Sequence, residues 1–348
     1  MQPIPCCIII DDPPVNASYW WRLQQTAFGF KPTDDIWGDL WRNQAGAALA
    51  SVELFEQYAD LLERFHLRGK FTMVPCPAAL GRLEKQVRGY SEQQLARILD
   101  IVRSRIAPRC DITPEILTHS MAYDPATGAI LPHSETAWFS HLARHRRMEQ
   151  MRAYVQHGYD ILRNVGLEPH GITCGGMTDP SAIAGGEMVV HGHHIESVME
   201  TLFTVERDTY GSEPERTFGF VGPVQTPDYL PRPAWTSPSG RHVYAVAKVG
   251  QEVLAPLYAG RASDYQPTVD AMVSPAMDGG VFIDAVETAG ALVFNVHIQT
   301  LGSNNTHLGL KALTEALDRL TQRYGDRLHW CTIRELCAMV ESREARRS

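Results

Sequence analysis

The chain has 348 residues, 44% of them hydrophobic, and a formal net charge of −8. This length and apolar content suffice for one large α/β domain or two medium ones with a sizeable buried core. The acidic balance and the shortness of the basic clusters argue against a nucleic-acid partner. No apolar run approaches the roughly 20 residues of a membrane span and no signal-like N-terminus is present, so we expect a cytoplasmic protein without a membrane partner.

Strand-like and helix-like segments alternate along the chain. Near-continuous apolar character, typical of strands covered on both faces, predicts strands at 4–10, 69–74, 114–119, 170–174, 216–222, 242–248, 291–297 and 327–331. Amphipathic periodicity predicts helices at 49–67, 92–106, 146–165, 187–208, 308–323 and 333–345. This alternation indicates parallel βα units. It favours a single barrel-like domain over 1–348, with loop insertions near 13–48 and 223–241.

Two adjacent carboxylates end the first predicted strand. Asp11 and Asp12 follow an apolar run and precede Pro13 and Pro14. In a barrel of parallel strands the catalytic groups come from the C-terminal strand ends, because the following loops form the site. One of the two aspartates could instead open the turn into the prolines, a common use of this residue. The pair favours a functional role.

A second strand end adds a histidine. The segment ILTHSMAYD places His119 at the end of the predicted third strand, with Asp124 five residues later. Aspartate and histidine converging from separate elements are a usual ligand combination for zinc or another first-row metal. The two strand ends together predict a metal site.

These motifs resemble the polysaccharide deacetylase family (carbohydrate esterase family four). That family opens with a strand ending in Asp-Asp, matched here by Asp11 and Asp12, and continues with His-Ser/Thr-x-x-His, matched at its start by His119. Tyr123 stands where the second histidine of that motif is expected. The segment 291–305 resembles the late strand that delivers a histidine, here His297.

The resemblance implies a distorted (β/α)7-8 barrel and a metal-dependent hydrolase. The substrate class would be an acetamido or other amide C–N bond of an oligosaccharide or related small molecule. Asp12 and His119 would bind a divalent metal, expected to be zinc, that lowers the pKa of a bound water. Asp11 would act as the base and His297 as the acid. The segment 166–177 lacks the arginine that in the family orients the catalytic acid.

The third metal ligand is open at this point. Catalytic zinc usually has three protein ligands. Asp124 could supply the third by bending back through the Asp-Pro turn, although an aspartate before proline is equally typical of a turn opener. Tyr123 is a weaker candidate because a phenol ionises near pH 10.

Substrate contacts are predicted from residues near these strand ends. Trp20 and Trp37 lie in the long segment after Asp12 and could stack on sugar rings, or could simply pack that loop. Asn304 follows His297 and could bind a ligand hydroxyl, or could belong to a Gly-Ser-Asn-Asn turn.

Two other functions are compatible with the sequence. Tyr123 and the absent arginine are also what a catalytically inactive carbohydrate-binding protein on the same barrel would show. A glycoside hydrolase using Asp11 in a carboxylate pair is less well supported, because no second acid stands at another predicted strand end. A homo-oligomer is compatible with the composition.

Overall fold

The computed structural model describes residues 3–15, 49–174, 192–224, 228–249 and 252–345. Trp20 and Trp37 lie outside these residues, so their predicted substrate contacts stay predictions. Across the described ranges, no helix combines the length and the apolar character needed to cross a bilayer.

Strands and helices alternate along most of the described chain. The strands are β1 Ile4–Asp11, β2 Gly69–Met73, β3 Gly81–Arg82, β4 Gln86–Val87, β5 Cys110–Pro114, β6 Met121–Tyr123, β7 Ile130–Ser134, β8 Ile172–Thr173, β9 Thr217–Val224, β10 Arg232–Thr236, β11 His242–Ala247, β12 Leu292–His297 and β13 Leu328–Trp330. The α-helices are α1 Val52–Arg64, α2 Glu92–Ile101, α3 Glu135–Arg144, α4 Met148–Asn164, α5 Gly192–Tyr210, α6 Tyr265–Met272, α7 Val281–Ala289, α8 Ile298–Gly302, α9 Leu308–Tyr324 and α10 Ile333–Ala345.

A parallel sheet forms the centre of the structure. Its strands run in the order β12-β1-β2-β5, and β13 pairs with the first residues of β1. β1 is buried along its whole length, as its near-continuous apolar sequence predicts for a strand covered on both faces. Because these strands are parallel, their carboxyl ends lie at one edge of the sheet.

A second sheet contains β10, β11, β9 and β8 in that order. β8, β9 and β11 are parallel, whereas β10 is antiparallel to β11. Isolated bridges connect Ile112 with Pro169 and Glu115 with Thr173, and the Val249 N–H donates to the Val293 carbonyl at 2.7 Å. The fold is therefore mixed α/β with a parallel central sheet. The continuous barrel expected from the sequence is not confirmed, because the strands of the described residues form two separate hydrogen-bonded sheets, joined by isolated bridges and single backbone hydrogen bonds.

Alternate residues of β1 face two different apolar clusters. Ile8 and Ile10 belong to the larger hydrophobic core, which includes buried residues of α1 and α2. Cys7 and Ile9 belong to a smaller cluster that includes Phe218 and other residues of the second sheet. Since side chains alternate along a strand, the face that carries Cys7 and Ile9 continues to Asp11.

The third strand lies earlier in the chain than its sequence pattern predicts. The apolar run at 114–119 predicted a strand there, but β5 spans Cys110–Pro114 and residues 115–120 form the following loop. The predicted insertion at 223–241 also contains a strand, β10. Ser91 and Gln94 form a capping box, with both reciprocal hydrogen bonds present at the start of α2.

A buried carboxylate of α5 connects this helix to β9, to the residue before β8 and to α4. Glu206 accepts hydrogen bonds from the Gly171 N–H, from Thr217 Oγ1 at 2.5 Å and from Tyr159 Oη at 3.1 Å. Burial raises the pKa of Glu206 to about 7, and the three donors only partly offset this effect.

We predict a pH-dependent stability term from Glu206. Its pKa in the folded protein lies above the unfolded value, so its contribution is fully present below about pH 4.5 and is lost as the pH rises through about 7. Glu206→Gln mimics the protonated acid and should remove this term, which is on the order of 3 kcal/mol. Urea unfolding at pH 5 and pH 8 measures it. An unchanged pH dependence in the variant would contradict the assignment.

Candidate active site

The predicted catalytic pair lies at the carboxyl ends of two neighbouring strands. Asp11 ends β1 and His297 ends β12, and the two residues are directly opposite each other in the parallel ladder. Asp12 follows with a backbone φ of +74°, in the left-handed region that non-glycine residues adopt uncommonly. Such conformations concentrate at functional sites.

Asp11 is buried with a lysine from the next strand. Lys70 Nζ lies 2.6 Å from Asp11 Oδ1 and donates to Thr72 Oγ1 at 2.8 Å, and both charged side chains are buried. Asn295 Nδ2 donates to the other carboxylate oxygen, Oδ2, at 3.4 Å. Burial opposes ionisation of Asp11, but the charges of Lys70 and His297 outweigh it and lower the pKa of the carboxyl. Asp11 is thus held as a carboxylate.

A three-residue group with metal-ligand chemistry lies beside this pair. Asp12, Glu115 and His119 each bring one ligand atom to within 4.8 Å of the others. His119 Nε2 lies 3.1 Å from Asp12 Oδ1, and its Nδ1 lies 3.1 Å from Glu115 Oε1. The Asp12 N–H donates to Glu115 Oε2 at 2.8 Å. Two carboxylates and one imidazole in this proximity fit a divalent cation.

The imidazole of His119 supplies the positive charge inside this group. Burial disfavours the imidazolium, but Asp12 and Glu115 outweigh it and raise the pKa of His119 to about 10. Burial is the main reason that the pKa of Glu115 rises to about 7. A cation bound here would replace the proton of His119, since a metal ligand must be deprotonated.

The loop that carries His119 is held by a buried carboxylate from α3. Glu135 Oε1 accepts from the N–H groups of Leu117 at 3.2 Å and Thr118 at 2.7 Å, and Oε2 accepts from the His119 N–H at 2.6 Å. Tyr154 Oη also donates to Oε1, at 2.6 Å. These bonds fix a loop in which His119 itself has a φ of +51°.

His297 has a carboxylate partner of its own. Its Nδ1 is hydrogen-bonded to Glu252 Oε2, and its backbone N–H donates to Glu252 Oε1 at 3.1 Å. Thr300 Oγ1 also donates to Glu252 Oε1. Burial lowers the pKa of His297, but Glu252 and Asp12 outweigh this and raise it to about 10. Glu252 thus orients the ring and stabilises its protonated form.

An amide side chain is bonded to Asp12 and lines a small cavity together with the predicted substrate contact Asn304. Gln299, in α8, donates from Nε2 to Asp12 Oδ2 at 2.5 Å and is almost fully buried. Gln299 Oε1 and Asn304 Oδ1 are buried atoms without a hydrogen-bond partner in the described structure, and both residues line a small cavity of about 20 Å³. This volume holds one water-sized group. Ligand binding by Asn304 stays a prediction.

Asp124, the predicted third metal ligand, does not belong to the group formed by Asp12, Glu115 and His119. Asp124 is half-buried, and its carboxylate accepts from the Ala126 N–H at 3.0 Å and from Thr127 Oγ1 at 2.6 Å. These contacts make it the opener of the turn between β6 and β7. Glu115 takes the third place in the group instead.

Sequence reasoning missed four of the residues around the site. The sequence pattern puts Glu115 at the start of a predicted strand. In the structure it directly follows the end of β5 and is a strand-end acid. Lys70 gave a signal, because a lysine inside an apolar strand needs a buried counter-charge. Glu135 and Glu252 lie in segments without a strand-end pattern, and no local signal indicated them.

No protein-family model matches this sequence, and no curated protein matches it either. Among solved structures, it is similar to the crystal structure of a protein from Mycobacterium smegmatis provisionally named a polysaccharide deacetylase. The TM-score is 0.50 at 10% sequence identity, covering 99% of this chain and 95% of that chain. At this identity the similarity shows the fold alone.

We predict that Glu135→Gln destabilises the protein by about 3 kcal/mol, because an amide nitrogen would face backbone N–H donors that lose their charged acceptor. Tyr154→Phe is the matched control. It removes one hydrogen bond to the same carboxylate and should cost about 1 kcal/mol. Urea unfolding of both variants measures the difference, and equal losses would contradict the role given to Glu135.

Lys70→Met should destabilise the protein by about 3–5 kcal/mol, because it leaves the Asp11 carboxylate buried without its cation. The double variant Lys70→Met with Asp11→Asn should recover much of this loss. A double-mutant cycle on the free energy of unfolding provides the test. Additive effects of the two substitutions would show that the pair is not coupled.

Proposed function

We propose that this protein is a metal-dependent hydrolase of the deacetylase type, acting on an amide C–N bond of a carbohydrate or related small molecule. The observation that carries the proposal is the convergence of Asp12, Glu115 and His119 next to the opposed Asp11 and His297. The similarity in fold to a protein provisionally named a polysaccharide deacetylase supports it. The distorted barrel and its single-domain organisation belong to the same proposal, supported by the bridges between the two sheets.

Asp12, Glu115 and His119 would hold the divalent metal. When bound, such an ion polarises a carbonyl oxygen and lowers the pKa of a water molecule. Gln299 keeps the Asp12 carboxylate in place by its hydrogen bond to Oδ2, and Glu135 keeps the His119 loop in place. Both supporting contacts come from elements outside β1 and β5, so the group is fixed from two sides.

Asp11 is the proposed general base. Lys70 and Thr72 occupy its Oδ1, whereas the described residues give Oδ2 one hydrogen bond, the long contact to Asn295. Oδ2 is therefore the atom available to accept a proton from the attacking water. Lys70 supplies a cation beside this carboxylate, in a chain that lacks the arginine expected from the family.

His297 is the proposed general acid. Its ring is protonated at neutral pH because its pKa lies near 10, which is close to that of an aliphatic amine. Glu252 holds Nδ1, which leaves Nε2 to give a proton to the leaving nitrogen. Proton donation in this position contributes roughly 10²- to 10⁴-fold to a rate.

Metal analysis and an acetate-release assay on a panel of N-acetylated amino sugars test the proposal. We expect one divalent ion per chain, lost in Asp12→Ala and in His119→Ala. We expect Asp11→Asn to retain the ion but to lower turnover by about 10²- to 10⁴-fold. Asp124→Ala is the matched control and should change neither quantity, because Asp124 lies in an exposed turn. A wild-type protein that binds no divalent ion and releases no acetate would overturn the proposal.

A further inference from the structure

We propose that Glu115 sets the metal preference of this site towards harder divalent ions, such as Mn²⁺, relative to Zn²⁺. The inference rests on the proposed function, in that it takes Asp12, Glu115 and His119 as the protein ligands. The resemblance to the deacetylase family leads to the expectation of one carboxylate and two imidazoles. This chain offers two carboxylates and one imidazole.

The position of Glu115 in the chain explains how it can take the role of the missing second histidine. The family motif expects a second histidine four residues after His119, where this chain has Tyr123. Glu115 precedes His119 by four residues, directly after the last residue of β5. The chain therefore supplies from the strand end the donor that is missing further along.

Tyr123 is engaged elsewhere in the structure. It lies in β6, and its ring stacks on that of His157 with centroids 6.2 Å apart and an interplanar angle of 14°. Its backbone N–H donates to Tyr154 Oη at 3.2 Å. Tyr123 is not a member of the group formed by Asp12, Glu115 and His119.

The carboxylate of Glu115 is buried, and its charge is compensated within the site by His119. Its exposure is 1%, and the ion pair described for it is with His119. Oε2 accepts from the Asp12 N–H, and the Glu115 backbone bridges to Thr173 of β8. Glu115 is therefore held between the ends of β5 and β8 with the carboxylate of Asp12 beside it, so the buried group offers two carboxylates to an ion.

The donor atoms determine which ions such a place favours. Carboxylate and amide oxygens suit magnesium and manganese, whereas imidazole suits zinc and other later first-row ions. Zinc still binds more tightly than manganese to a given set of such ligands, so the inference concerns the ratio of the two affinities.

Isothermal titration of the chelator-treated full chain with MnCl₂ and with ZnCl₂ tests the inference. The quantity compared is the ratio of the Mn²⁺ to the Zn²⁺ dissociation constant. Glu115→His restores the second imidazole and should raise this ratio by about tenfold or more, within the usual range for changes in a metal's surroundings. Loss of the six-line electron paramagnetic resonance spectrum of free Mn²⁺ provides an independent measure of binding.

Two further variants complete the experiment. Tyr123→His adds a histidine where the family motif has one and should leave the ratio unchanged. Glu115→Gln preserves the shape of the side chain but removes its charge. It should weaken Mn²⁺ binding more than Zn²⁺ binding. This variant tests the inference even if Glu115→His fails to fold.

The outcomes separate the inference from the proposed function. An unchanged ratio in Glu115→His and equal losses in Glu115→Gln would overturn the inference and leave the metal site standing. A raised zinc preference in Tyr123→His would also overturn it. Absence of binding of either ion to the wild-type protein would overturn the metal site itself and the inference with it.

Discussion

Charge compensation among buried carboxylates is the constraint on which this site depends. Asp11, Asp12, Glu115 and Glu252 are all largely buried near one edge of the central sheet. An unpaired buried carboxylate is costly, so each needs a cation or several hydrogen-bond donors. Lys70, His119 and His297 supply the positive charges from three separate parts of the chain.

Charge compensation divides the buried acids into two sets with different chemistry. Asp11 is paired with Lys70. A charged lysine ammonium has no lone pair and so cannot bind a metal ion. Asp12 and Glu115 are paired with His119, an imidazole that can give up its proton to a metal ion. The two adjacent aspartates thus have different chemistry because they contact different neighbours: Asp11 ends β1, whereas Asp12 follows the strand with a left-handed φ of +74°.

The sequence predicted the strand ends better than the residues that meet there. β1 and β12 could be found because continuous apolar runs end abruptly at Asp11 and His297. The sequence predicts the third strand a few residues late, because the loop after β5 contains Ile116 and Leu117, two buried apolar residues that read as strand. Because of that shift, the sequence does not identify Glu115 as a strand-end acid, and Asp124 becomes the candidate for the third metal ligand.

What the sequence determined by itself is the alternation of strands and helices, and the acid-lined edge that parallel strands must share. Their apolar runs fix burial on both faces, and their order fixes which end carries Asp11, Asp12 and His297. Only the tertiary structure decided that Glu115, rather than Asp124, joins Asp12, and that Lys70 and Glu252 serve Asp11 and His297. These pairs are distant in the chain, and their contacts depend on strand register and loop geometry that no local pattern specifies.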